Sequence, residues 1–193
     1  MRVCLFGASS EELAPLYYRE SERLGRLLAR RGHTLVFGGS AGGLMGACAR
    51  GLLAEGGRAV GVAPRFFGEQ GVPFGEGCEM IFTDTMAERK SRMEALAEGY
   101  VALPGGVGTL DELFEVLTLR QLGRHDRPIV LLNTAGFYDG LLRVLRDMAD
   151  GGFVGRSCLE QLAVCAEPER ALEALEEGPR APDAPRRIAD YWR

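Results

Sequence analysis

The chain has 193 residues, enough for one well-cored domain, and no composition shift or linker divides it before a Pro/Arg-rich stretch at the end. Its net charge of -4 comes without any basic block, so nucleic-acid and membrane-surface binding lack their electrostatic footprint. No stretch approaches the roughly 20 apolar residues of a membrane span.

Five cysteines, Cys4, Cys48, Cys78, Cys158 and Cys165, are odd in number, widely spaced and mostly set in apolar runs. Without a CxxC pair or a cleavable leader they read as reduced core residues of a cytoplasmic protein, with no structural metal. The two histidines, His33 and His125, each sit at the edge of a predicted strand and read as structural, which leaves no basis for a Ser-His-Asp triad or a histidine metal site.

In chain order the patterns alternate. Val3 to Phe6 is a buried strand ending in the small-residue turn Gly7-Ala8-Ser9-Ser10, and helical spacing runs from Glu11 to Arg31. Thr34 to Phe37 is a second strand, followed by the glycine loop Gly38 to Gly43 and a helix from Leu44 to Ala54. Arg58 to Ala63 is a third strand. Residues 64–77, rich in Gly, Pro and Phe, form a long loop placed to cover a site. A short strand from Glu79 to Phe82 and a helix from Thr85 to Ala97 lead to the strand Tyr100 to Leu103, a second glycine loop, and a helix from Leu110 to Leu122. Pro128 to Leu132, Phe137 to Asp150, Leu162 to Cys165 and Glu169 to Glu177 complete the alternation.

This order implies an α/β fold, a doubly wound parallel sheet covered on both faces in a single domain of three layers, with ligands at the carboxyl ends of the strands. The domain is expected over residues 1–178, and residues 179–193 are expected to be a loose C-terminal tail.

Residues 104–112 read PGGVGTLDE between a strand and a helix. Glycines bring backbone N–H groups close to a ligand, and the helix start adds unpaired donors and the positive dipole end, so this loop is an anion seat. The loop 38–43 is a second, and two such turns on neighbouring strands would grip one ribose phosphate from two sides. Neither matches GxGxxG or GxxxxGK[ST], which favours a mononucleotide over a dinucleotide or P-loop ligand.

Glu112 places a carboxylate beside that phosphate, with Glu115 one turn on. The same letters are also a capping box, Thr109-Leu110-Asp111-Glu112, in which Glu112 would merely close a helix turn; Thr85-Met86-Ala87-Glu88 is another. Among 23 basic residues only Lys90 is a lysine. Arg89 and Lys90 either line a pocket with Glu112 or belong to a solvated helical face. The apolar residues between Leu113 and Leu122 serve either the core or a dimer face.

The segments FGGSAGGLMGA (37–47), GRAVGVAP (57–64), MAERK (86–90) and ALPGGVGTLDELFEVLTLRQLG (102–123) resemble the Lonely Guy family of cytokinin-activating phosphoribohydrolases, often labelled lysine decarboxylases. The resemblance runs from about Val3 to Val154. It implies a Rossmann-like homodimer that needs no cofactor and hydrolyses the N-glycosidic bond of an N6-modified adenosine 5′-monophosphate, releasing base and ribose 5-phosphate. It implies Arg89 and Glu112 as the catalytic pair. It places the phosphate on Gly105, Gly106, Gly108 and Thr109, the base and ribose near Met86 and Lys90, and further substrate contacts on Gly39, Ser40, Gly43 and Met45. Four positions in three segments depart from the family pattern: Ala87 replaces a histidine, FGASS replaces FCGSS at Gly7 and Ala8, and Ser40 replaces a third glycine. Other readings are a related nucleoside monophosphate glycosidase, a pyridoxal-phosphate decarboxylase using Lys90, and a non-catalytic nucleotide carrier.

Overall fold

A computed structural model describes residues 1–68, 75 and 77–178. The expected tail, 179–193, and residues 69–74 and 76 of the 64–77 loop lie outside the described residues.

The elements are β1 (Arg2–Phe6), α1 (Pro15–Arg30), β2 (Thr34–Phe37), α2 (Gly43–Ala54), β3 (Arg58–Pro64), α3 (Arg65–Gly68), β4 (Cys78–Thr83), α4 (Met86–Leu96), β5 (Gly99–Ala102), α5 (Val107–Gln121), β6 (Ile129–Leu132), a 3-10 turn (Thr134–Gly136), α6 (Asp139–Asp150), α7 (Ser157–Glu160), β7 (Leu162–Cys165) and α8 (Pro168–Glu177). All seven strands pair in parallel in the order β4-β3-β2-β1-β5-β6-β7. The chain winds outward from β1 to β4, then returns to the other side of β1 for β5, so the order reverses between β1 and β5.

Side chains alternate across the pleat and make two cores. Val3, Leu5, Leu35 and Phe37 face α1, α2 and α8, where Leu24, Leu28, Leu52 and Leu172 meet them. Cys4, Phe6, Val36 and Val62 face the opposite layer, with Met93 of α4, Leu113 and Val116 of α5 and Leu145 of α6. Both faces are dry, which is why the strands read as continuous apolar runs.

Two helix starts differ from the sequence reading by three residues or more. α1 begins at Pro15, not Glu11, because proline is preorganised for the first helical position and disfavours helix in the residue before it. Residues 11–14 therefore belong to the β1–α1 turn. α5 begins at Val107, three residues before the expected Leu110, with Gly106 as its N-cap.

All five cysteines are free, and His33 and His125 have structural partners: His33 lies 3.0 Å from Glu176, and His125 3.2 Å from the Arg127 amide and 2.9 Å from the Val116 carbonyl. No group of His, Cys, Asp or Glu among the described residues is arranged to hold a metal, and no described helix is long and apolar enough to cross a membrane.

Candidate active site

A cleft of about 730 Å³ opens at the carboxyl ends of β1, β2 and β5, over the reversal of strand order. The two glycine loops face each other across the turn that follows β1. They are not on neighbouring strands, since β1 lies between β2 and β5.

α4 delivers Arg89. Thr85 caps this helix in a true capping box: the Glu88 amide donates to Thr85 Oγ1 at 3.1 Å, and the Thr85 amide to the Glu88 carboxylate at 3.3 Å. One turn in, Arg89 is 5% exposed; its Nε donates to the Val62 carbonyl at 3.1 Å and its Nη1 to Glu112 Oε1 at 2.6 Å. Gly38 leaves room for this guanidinium, since a Cβ there would stand 2.1 Å from Arg89 Nη2.

Glu112 is 8% exposed and lines the cleft. With α5 starting at Val107, Glu112 lies in the second turn and Thr109 is inside the helix, so the 109–112 capping box does not form. The carboxylate is committed to Arg89. Burial pushes the Glu112 carboxyl above its ordinary value, and the Arg89 guanidinium pulls the other way without cancelling the shift. The helix dipole fades beyond the first turn, so it is mainly Arg89 that opposes protonation of Glu112.

The α5 start has the features of an anion seat. Gly106, Val107, Gly108 and Thr109 line the cleft, and no side chain caps the helix. A Cβ at Gly106 or Gly108 would meet nothing within 4 Å. Packing therefore does not demand glycine at either position, and the open space lies where a ligand would approach. Gly105 is different: its Cβ would stand 2.1 Å from Thr109 Oγ1, so it is glycine for close packing and does not itself line the cleft.

Of the remaining sequence-predicted residues, Ser40, Met45 and Met86 line the cleft, whereas Gly39, Gly43 and Lys90 do not. Gly39 and Gly43 serve the backbone with φ of 73° and 62°, and a Cβ on Gly43 would collide with the Ala8 carbonyl at 2.2 Å. Lys90, expected in the pocket, turns toward the flank of α5. Its Nζ lies 3.1 Å and 3.3 Å from the Asp111 carboxylate oxygens and 2.8 Å from Glu115 Oε2, the last close enough for an ion pair though off line for a hydrogen bond. Glu115 and then Asp111 hold the Lys90 ammonium above its ordinary pKa.

Sequence reasoning missed Ala8, Ser9 and Glu11 of the β1–α1 turn, Gly38, Phe67 of α3, and Asp111, all of which line the cleft. The signal for the first group was the turn's place after β1 in a doubly wound sheet. Phe67 comes from the loop expected to cover the site. Ala87, at the position of the missing histidine, is exposed outside the cleft, whereas the Ser40 departure falls within it.

A family model described as "Possible lysine decarboxylase" matches residues 45–175. A cytokinin riboside 5′-monophosphate phosphoribohydrolase of Mycobacterium marinum is 43% identical over 155 residues, covering 80% of this chain and 83% of that protein. The protein of the same name from Mycobacterium tuberculosis is 41% identical over 172 residues, covering 89% and 91%. The chain belongs to the Lonely Guy phosphoribohydrolase family. Solved structures share its fold at lower identity: a molybdenum cofactor binding protein from Rippkaea orientalis has a TM-score of 0.70 at 20% identity, covering 91% of this chain and 95% of that one. The molybdenum cofactor carrier protein of Chlamydomonas reinhardtii has a TM-score of 0.69 at 21% identity, covering 91% and 96%. Phosphoribohydrolase relatives and carrier proteins thus share one architecture. What separates their functions lies in site chemistry, not in the sheet.

Proposed function

We propose that the chain hydrolyses the N-glycosidic bond of an adenosine 5′-monophosphate, N6-modified or plain, and releases the free base and ribose 5-phosphate. The observation that carries this reading is the buried Arg89–Glu112 pair beside the uncapped α5 start. The names of the relatives give the substrate class. Breaking the ribosyl C1′–N bond passes through an oxocarbenium-like state with positive charge on the sugar. With the 5′-phosphate held over Gly106, Gly108 and Thr109, C1′ comes near Glu112, whose carboxylate stabilises that charge. A carboxylate with a raised pKa is also a better base toward the attacking water. Bond balance is simple: water oxygen joins C1′, the C1′–N pair leaves with the base, and the water proton passes through Glu112 to the base nitrogen or to solvent. Arg89 holds Glu112 in place and supplies a planar donor fork at the cleft wall.

The decarboxylase reading loses its nucleophile. Schiff-base chemistry needs a neutral amine, whereas Glu115 and Asp111 keep Lys90 protonated, and Lys90 does not line the cleft. We also propose a cytoplasmic homodimer, on the free thiols and on Phe114 and Leu122, which stay partly exposed while Leu113, Val116 and Leu117 fill the core. Light scattering at micromolar concentration is expected to give twice the chain mass; a monomer would remove the dimer.

The function is tested by following free base and ribose 5-phosphate from AMP and N6-isopentenyl-AMP with wild type, Glu112→Ala and Arg89→Ala. Turnover by wild type that both substitutions abolish is expected. Ligand binding without turnover by wild type would favour a carrier.

A further inference from the structure

Of the helix N-termini at the cleft, those of α2 and α5 are not equivalent. At α5 the backbone around Gly106 and Gly108 is bare, as described above. At α2 the protein uses the donors itself: the Gly42 amide donates to Ser40 Oγ at 3.2 Å, and the Leu44 amide to the Ala8 carbonyl at 2.8 Å. Glu11 stands beside this helix end. The late start of α1 leaves it in the β1–α1 turn, where its carboxylate lies against Gly42, so close that a Cβ on Gly42 would stand 2.8 Å from Glu11 Oε1.

The charges of the cleft wall sharpen this asymmetry. Among the described residues Arg89 is its one cation and is paired with Glu112; Asp111 is paired with Lys90 from outside. Among the described residues no hydrogen bond or ion pair engages the Glu11 carboxylate. It is therefore the unneutralised charge of the described wall, negative, and set beside the helix end that would otherwise attract a second anion.

We propose that Glu11 is a specificity-determining residue that bars a second phosphate from the α2 end of the cleft, so that the site admits ligands carrying a single phosphate. Like charges brought together at a binding surface select against the wrong ligand even where they add nothing for the right one. A carboxylate only accepts hydrogen bonds, so the group that suits the α2 end is a donor, such as a sugar hydroxyl or an exocyclic amine. This inference rests on the reading of the cleft as a nucleoside monophosphate site.

The test compares KM for AMP with the inhibition constant of ADP in wild type, Glu11→Gln, Glu11→Arg and Glu12→Gln, the last altering a neighbouring carboxylate that does not line the cleft. Glu11→Gln is expected to narrow the gap between ADP and AMP roughly tenfold, Glu11→Arg further, and Glu12→Gln not at all. The Glu11 effect should shrink as salt is raised, because an exposed charge is screened. An ADP/AMP ratio unmoved by both Glu11 variants, with AMP still cleaved, would overturn the role of Glu11. If wild type cleaves neither AMP nor N6-isopentenyl-AMP, the functional reading fails instead, and the ADP/AMP ratio measured by calorimetric titration still decides the role of Glu11.

Discussion

A carboxylate and a guanidinium 2.6 Å apart with less than a tenth of their surface exposed are costly to bury, and neither is tolerated alone. That cost is a reason to expect work from the pair. Glu112→Gln is expected to lower kcat by about 10²–10³-fold, in the range of losing one preorganised electrostatic partner, with a smaller change in KM. Because burial raises the Glu112 pKa, its charge is lost on acidification earlier than for an ordinary carboxylate. Activity that needs the ionised form therefore falls as pH drops through a value above the usual carboxylate range, and a kcat/KM profile with its acid limb at the ordinary value would exclude Glu112 as the titrating group. Gly38 supports the pair silently. Gly38→Ala puts a methyl group 2.1 Å from Arg89 Nη2, so Arg89 must move, and a drop in kcat/KM of at least about tenfold is expected with the fold retained by circular dichroism. Arg89 and Glu112 were legible in sequence because both sit in motifs with a chemical rationale. Gly38 was not singled out, since what it does is stay out of the way of a side chain from another element.

Helix starts decide what each element offers the site. α4 closes its own first turn through Thr85 and Glu88, and the Arg89 amide donates to the Thr85 carbonyl at 3.1 Å, so this end is rigid and holds Arg89. α5 begins on Gly106 with no side-chain cap, leaving its donors to a ligand. The two look alike in sequence, each a Thr followed three residues later by Glu. Only the backbone separates them, because the glycines before Thr109 let α5 start a turn early. Gly108→Ala separates folding from binding. Alanine in a helix is better than glycine by up to about 1 kcal/mol, and a Cβ there meets no protein atom. The variant should melt no lower than wild type yet bind ribose 5-phosphate more weakly. Equal affinity would move the phosphate away from the α5 start. Thr85→Ala should act oppositely, costing about 1 kcal/mol of stability and loosening Arg89, which a matched thermal melt and kcat measurement would show.

At the scale of the whole molecule, alternation of apolar runs with helical spacing was enough to place seven strands and their parallel covering, but not their order. Order depends on which helices cross to which face, and that is settled by packing between distant segments such as α8 against α1, which no local pattern announces. The reversal between β1 and β5 leaves a gap at the carboxyl edge where no crossover covers the sheet, and the cleft sits there. A gap of this kind is held open by its walls, so a ligand bridging α5 to the β1 turn ties together the two halves of the sheet. Ligand bound only to the folded state at a hundred times its dissociation constant adds about 2.7 kcal/mol, or roughly 5–10 °C in Tm for a domain of this size. Ribose 5-phosphate at saturating concentration is expected to raise Tm by that order. Adenosine, lacking the phosphate that α5 is built to receive, should raise it far less at the same concentration. Equal shifts from both would mean that the base and sugar, not the phosphate, carry the binding, and the uncapped start of α5 would need another explanation.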